Sequence, residues 1–339
     1  MVEVRLFKIY YQELGKGDLV LNNDLVSMII PFYNGEEYLD RFLKSMIAQT
    51  YNNVQLIFVN DGSTDGSDSI IKNYLCKLEN KFREVIYISQ SNNGAASAVC
   101  NALKYVKGEY LCWADCDDEL LPDNIYKKYF FLKCNKEYGM VNCGAMAISQ
   151  ISGEILYKMV IPKSQRNDNM FMQILDGIPV YPGVFMVRTQ LLFDKLQDKK
   201  IYFDREAGQN YQLLLPVAYD NKCGFIDDIL YNYYVREDSH SHCVDYNRAY
   251  QRTYVREKLL DNVLEFMPSD EKNKLMFEIT YKCLIERFNL SFSANDKLNN
   301  NNSYEELKER KIDIKIKIKH FIINCKTANA IYRLIRRVI

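Results

Sequence analysis

Asp115, Asp117 and Asp118 fall within four residues at the end of a short apolar run, Tyr110 to Ala114, that holds the only tryptophan of the chain. Carboxylates this close repel one another unless a cation neutralises them, and hard oxygen ligands suit Mg2+ or Mn2+ bound together with phosphate groups. The same residues also suit a solvated acidic turn before a helix opened by Pro122, where Asp favours the N-terminus. An EF-hand is disfavoured, because no glycine follows at the sixth position. A second polar turn, Asn60-Asp61-Gly62-Ser63-Thr64-Asp65, places an acid where a strand gives way to a helix. Two of the three histidines stand close together, His240 and His242, after a tyrosine-rich strand. By residue type alone they suit a plain polar loop. His320, among basic residues, reads as a surface group.

The elements that must position these residues repeat. Leu25 to Ile30, Val54 to Val59, Val85 to Ile88 and Tyr110 to Ala114 are rich in β-branched and aromatic residues, as buried parallel strands are. Between them, Leu39, Phe42, Leu43, Met46 and Ile47 recur at helical spacing, as do Ile71, Leu75 and Leu78, and then Ala98, Val99, Ala102 and Val106. Asn34 with Glu37 three residues later predicts a capping box. Strand and helix alternating three times predict an α/β fold with a mainly parallel sheet and right-handed crossovers. Ligands of such sheets bind at the carboxyl ends of the strands. The loops Pro31 to Asn34, Asn60 to Asp65, Ser89 to Gly94 and Asp115 to Asp118 should therefore converge on one rim.

Beyond Pro122 the pattern loosens. It predicts a helix over Asn124 to Glu137, a hairpin over Met140 to Val160 turning near Gly153, strands near Val184 to Val187 and Leu230 to Val235, and a helix over Tyr211 to Tyr219. After Asp245 the sequence is helical and polar, with Asn299 to Asn302 read as a solvated loop. The 48% hydrophobic and 26% charged content of the 339 residues is globular and excludes a disordered or collagen-like chain. No apolar run approaches 18 residues, and the first residues lack the apolar core of a signal peptide, so a cytoplasmic protein is expected. The 10 cysteines include no CxxC and read as reduced core residues. A net charge of zero conceals an asymmetry: Lys308 to Ile339 carries ten Lys or Arg against two acids. No basic stripe runs along the rest of the chain, which argues against a nucleic-acid partner. In the tail, Ile331, Leu334, Ile335 and Val338 form an apolar stripe beside Arg333, Arg336 and Arg337. This suits a helix lying on anionic lipid at the inner face of the plasma membrane, or one docked on the body or on another subunit.

Taken together, IIPFYNGEEYLDRFLKSMIAQTY, LIFVNDGSTDGS and NNGAASAVCNALKYVKGEYLCWADCDD resemble the nucleotide-binding half of family 2 glycosyltransferases of the GT-A fold. The resemblance runs from about Val26 to Asp123 and continues more faintly to about His242. It implies an N-terminal segment over 1–24, a nucleotide-sugar-binding half over 25–123, an acceptor-binding half over 124–244 and a helical extension with a basic amphipathic tail over 245–339. It further implies a UDP-sugar donor, a glycan or lipid-linked acceptor, Mn2+ or Mg2+ as cofactor, and inversion at the anomeric carbon in bacterial surface-polysaccharide synthesis. By the same resemblance, Pro31, Tyr33 and Asp61 contact the nucleobase, Asn93 and Gly94 approach the nucleotide, and Asp115 contacts the ribose. Asp117 is then a metal ligand, and His240 or His242 returns to the metal or diphosphate.

One position departs from that pattern. The Glu-Asp pair that supplies the family's general base is matched by Gln209 and Asn210, whose amides do not accept a proton near neutral pH. Glu206, one helical turn earlier, is the preferred replacement and Asp204 the second. A sugar-nucleotide or glycan-binding module without turnover is the competing expectation. A dinucleotide oxidoreductase and a P-loop phosphotransferase are disfavoured, since GxGxxG and GxxxxGK[ST] are both absent.

Overall fold

In the computed structural model, residues 3–6, 21–204, 207–236, 245–310 and 312–338 are described. The chain divides into two compact units, Met1–Arg236 and Glu237–Ile339. The first is built on ten strands and seven helices: β1 (Glu3–Leu6), β2 (Asn22–Phe32), α1 (Glu36–Ile47), β3 (Val54–Asn60), α2 (Ser67–Lys81), β4 (Glu84–Ser89), α3 (Ala95–Leu103), β5 (Gly108–Trp113), β6 (Glu119–Leu120), α4 (Asn124–Cys134), β7 (Tyr138–Ser149), β8 (Ile155–Met159), α5 (Phe171–Leu175), β9 (Phe185–Arg188), α6 (Thr189–Phe193), α7 (Asn210–Asp220) and β10 (Lys222–Val235).

The sheet runs β1-β4-β3-β2-β5-β9-β7-β10-β6, with β8 beside β7. Its first half is the predicted parallel block: β3 pairs with β2 and β4, and β2 with β5, all parallel. Every residue of β3 is buried, as a strand covered by helices on both faces must be. Against one face α1 buries Leu39, Phe42, Leu43 and Met46. The small residues Ala96, Ala98 and Ala102 of α3 are buried in turn. The second half is mixed, with β7 parallel to β10 and antiparallel to β8 and β9. Two register shifts between Ile226 and Tyr231 break the alternation of β10. Shifts of this kind re-aim the side chains beyond them, and Tyr231 is fully buried.

Several expectations are corrected. Asn34 caps nothing: the N-cap of α1 is Gly35, without a side-chain cap, and Asn34 has φ +47° with its side chain turned to the next loop. A short strand, β1, lies in the stretch read only as an N-terminal segment and pairs antiparallel with β4. The first helix after Pro122 stops at Cys134, where Asn135 leaves the helical region. Cys76 and Cys134 are exposed rather than core, Cys325 is half-buried, and Cys243 lies outside the described residues.

The second unit holds α8 (Tyr246–Val263), α9 (Ser269–Ala294), α10 (Lys297–Lys308), α11 (Ile314–Asn324) and α12 (Lys326–Val338). Leu284, Phe288, Leu307 and Ile316 form its core. Asn299 to Asn302 are not a loop; they lie in α10. The Asp296 carboxylate caps that helix by accepting from the Asn299 N–H, and the buried Asn300 amide donates to the Phe288 carbonyl at 3.0 Å. His320 is half-covered, its ring stacked 3.6 Å from that of Tyr304, and burial lowers its pKa. Among the described residues, no helix is long and apolar enough to cross a membrane.

Candidate active site

The four loops predicted to converge do so, three of them laced together by side-chain to backbone bonds. Pro31 and Phe32 end β2 in register with Val59 and Asn60 of β3, and Tyr33 beyond them is 48% exposed. The next residues are laced to the loop after β3. The Asn34 carbonyl oxygen of the side chain accepts from Thr64 N–H at 2.9 Å, Ser67 Oγ accepts from Gly35 N–H at 2.8 Å, and Asp65 accepts from Glu36 N–H at 3.0 Å.

Asp61 is only 3% exposed, and its carboxylate closes the gap to the loop after β4. Oδ1 accepts from Gln90 Nε2 at 2.7 Å and from Asn93 N–H at 3.0 Å, and Oδ2 from Gly94 N–H at 2.8 Å. Gly94 is the N-cap of α3 with φ +90°, a conformation that favours glycine. A carboxylate at a helix N-terminus meets free N–H groups and a favourable dipole. Asp61 thus has a holding role that the sequence did not show.

The loop after β5 joins the same rim, since a Cβ on Gly35 would lie 3.0 Å from the Cys116 sulfur. Within it the three acids separate by function. Asp118 is almost fully buried and accepts from the Tyr231 hydroxyl at 2.7 Å and the Tyr234 N–H at 2.9 Å. Asp117 is ion-paired with Arg236 at 3.1 Å. Burial first, and the Asp117 charge second, push the Asp115 carboxyl up to about 7. Burial and the two neighbouring acids push Asp118 well above the usual carboxylate range. Such shifts mark a site short of positive charge. Asp115, Asp117 and Asp118 offer oxygens within 4.8 Å of one another, all hard ligands, and a divalent cation fits that donor set.

Two arginines here were not legible as site residues. Arg236 follows β10 and lies 4.9 Å over the Tyr38 ring. Arg41 of α1 donates to the Asp117 carbonyl and to Gln150 at 2.9 Å, and stacks 3.4 Å over Tyr234. Placing them required the register of β10 and the pitch of α1, which single residues do not disclose.

Asn210, at the usual base position, is engaged at both ends. Its Oδ1 accepts from the Trp113 indole N–H at 2.7 Å, and its Nδ2 donates to the Val180 carbonyl at 3.1 Å. A carboxylate in its place would set an oxygen against that carbonyl, so an amide suits both partners. Gln209 is buried beside it. Asp204 is exposed. Glu206, His240 and His242 lie outside the described residues.

The parallel block, the loops gathered at its strand ends and the acidic cluster define a GT-A fold. The model of glycosyl transferase family 2 matches residues 27–195. A glycosyltransferase of Haemophilus influenzae is 36% identical over 213 residues, covering 63% of this chain and 78% of that protein. The chain belongs to glycosyl transferase family 2. It is also similar to the minor teichoic acid biosynthesis protein GgaB of Bacillus subtilis, 31% identical over 223 residues, covering 63% of this chain and 23% of that protein. It spans less than half the length of the first curated relatives it matches. Among solved structures, S. aureus TarS 1–349 in complex with UDP-GlcNAc shares the fold, with TM-score 0.56, 18% identity, and 88% of this chain and 79% of that one covered. So does a mannosyltransferase of Pyrobaculum calidifontis in complex with GDP-Man and Mn2+, with TM-score 0.52 and 13% identity over 91% of this chain and 86% of that one.

Proposed function

We propose that the chain transfers a sugar from a UDP-sugar to a glycan or lipid-linked acceptor in cell-surface polysaccharide synthesis, with inversion and with Mn2+ or Mg2+. The observation that carries this reading is the meeting of the Asp61–Gly94 clamp and the Asp115–Asp117 pair on one rim of the sheet. The UDP-GlcNAc and Mn2+ complexes of the structural neighbours and the teichoic acid role in GgaB's name support it.

Pro31, Tyr33 and Asp61 hold the nucleobase, Asn93 and Gly94 approach the nucleotide, Asp115 contacts the ribose, and Asp117 with His240 would hold the metal. A divalent cation held there would supply positive charge to the leaving diphosphate. Arg236 keeps a positive group beside Asp117, and Arg41 fixes the carbonyl of that turn. Glu206, or in second place Asp204, takes the proton of the acceptor hydroxyl.

A thermal-shift screen across nucleotides and UDP-sugars, with and without Mn2+, tests the donor class, because a ligand of the folded state raises its stability with occupancy. Stabilisation by UDP with Mn2+ is expected; indifference to every uridine nucleotide would discard the reading. Asp61→Ala should weaken UDP binding by about 1–3 kcal/mol, the worth of a charge-assisted bond. Calorimetry giving the parent's affinity for that variant would remove Asp61 from the site.

The locked amide of Asn210 favours a second reading, a binding module without turnover. Release of UDP from a UDP-sugar separates the two. Glu206→Gln and Asp204→Asn then identify the base: the variant that keeps UDP binding and loses about 10²–10⁴ in rate carries it.

A cytoplasmic protein with peripheral membrane contact completes the proposal. Ile331, Leu334 and Ile335 of α12 and Ile314, Ile318 and Phe321 of α11 are exposed among basic residues. The face of α12 is the better one to alter, because Ile316 of α11 belongs to the core of its unit. Replacing Ile331, Leu334 and Ile335 by Ser should reduce sedimentation with anionic vesicles at least about tenfold, and added salt should act in the same direction. Unchanged sedimentation would reassign the stripe to a protein contact.

A further inference from the structure

We propose that a cavity of about 250 Å³, between β8 and the loop that precedes β9, binds one sugar ring of the acceptor. The inference rests on the transferase reading and adds the place and chemistry of the acceptor.

The lining has two kinds of surface. Tyr157, Pro179 and Tyr181 contribute rings to the lining, with Met159 and Ile161 beside them. Asn142 of β7 also lines the cavity and is only 7% exposed. Among the described residues its side chain has no hydrogen-bond partner. An amide offers two donors and two acceptor lone pairs to a ligand in the cavity. A pyranose ring has both features required, an apolar C–H face for the tyrosines and hydroxyls for the amide. A prenyl chain would cover the rings and leave Asn142 unpaired.

The cavity is tied to the acidic cluster by short links. Tyr181 sits between Val180, whose carbonyl accepts from Asn210, and Gly183, whose N–H donates to the Trp113 carbonyl at 2.6 Å. The Trp113 indole holds the other end of Asn210. One wall of the cavity therefore hangs from the strand end that carries Asp115, two residues beyond Trp113. On the other side, the Tyr181 ring lies 5.4 Å from that of Tyr233 on β10, the strand whose Tyr231 and Tyr234 hold Asp118.

Saturation-transfer-difference NMR with methyl glycosides of glucose, galactose, mannose and N-acetylglucosamine at millimolar concentration tests the assignment. UDP calorimetry is run on every protein in parallel. At least one glycoside should bind the parent. Asn142→Leu and, separately, Tyr157→Ala should reduce its signal at least about fivefold while UDP affinity stays as in the parent. Tyr157 is half exposed, so its loss does not threaten folding. Glycoside binding that survives both substitutions, or that is displaced by UDP-sugar, overturns the assignment. So does a panel in which UDP binds and no glycoside does, or one in which only the chain of an octyl glycoside gives signal. Failure of UDP itself to bind is distinct from all of these and removes the transferase reading with it.

Discussion

Asp117→Asn should lower sugar transfer about 10²–10³-fold, the cost of losing one preorganised charge-stabilising contact, and should make UDP binding indifferent to Mn2+. The expectation follows from the division of labour in the acidic loop. Asp118 is occupied by Tyr231 and Tyr234, so the turn keeps its shape without Asp117. Asp117 itself is a quarter exposed and, among the described residues, ion-paired with a similarly exposed Arg236, a pair worth at most about 1 kcal/mol. The variant should therefore unfold close to the parent's temperature while losing the response to metal. Calorimetry of both proteins with UDP, in Mn2+ and in EDTA, decides the matter. A parent whose UDP affinity is the same in both conditions would take the metal away from this site.

Gly183→Ala should destabilise the first unit by about 2–5 kcal/mol. Two costs combine. The residue has φ +78°, which penalises any side chain by about 1–2 kcal/mol, and a Cβ would stand 2.0 Å from the Tyr231 ring, an overpacking of about 1–3 kcal/mol. Little around it can yield. The Gly183 carbonyl accepts from the buried Lys128 ammonium at 2.7 Å and from Asn124 at 3.1 Å. Its N–H is bound to Trp113. Displacing Tyr231 would also pull on Asp118, so metal-dependent UDP binding should weaken along with stability. Thermal unfolding should fall by about 5–15 °C. A melting temperature within about 2 °C of the parent's would mean that the loop rearranges freely.

The parallel block was legible because β2 to β5 are buried on both faces and spell continuous apolar runs, with a turn sequence after each. The loops at their ends could be read for the same reason. What escaped depended on partners distant in sequence. The role of Tyr231 and Tyr234 is hidden because the register shifts in β10 break the alternation that would have given their facing. Asn34 and Glu37 had the spacing of a capping box, yet Asn34 bonds to Thr64 across the rim. Asn299 to Asn302 had the composition of a loop and became helix once Asp296 capped it and Phe288 offered Asn300 a carbonyl. Asn210 looked like a damaged base, and only its partners Trp113 and Val180 show why an amide stands there.

The four residues of β1 bear on how the protein behaves in a tube. They run antiparallel along β4, Glu3 opposite Ser89 through Leu6 opposite Ile86, and so cover the outer edge of the parallel block. β4 reads Glu-Val-Ile-Tyr-Ile-Ser, with one charge and no proline. An uncovered strand of that composition is a template for self-association, because its free N–H and C=O groups can recruit another copy. A shortened form beginning at Asn22 would retain the whole rim and expose that template. Its solutions should turn opalescent and form β-rich oligomers as concentration rises, with every residue of the acidic cluster still in place.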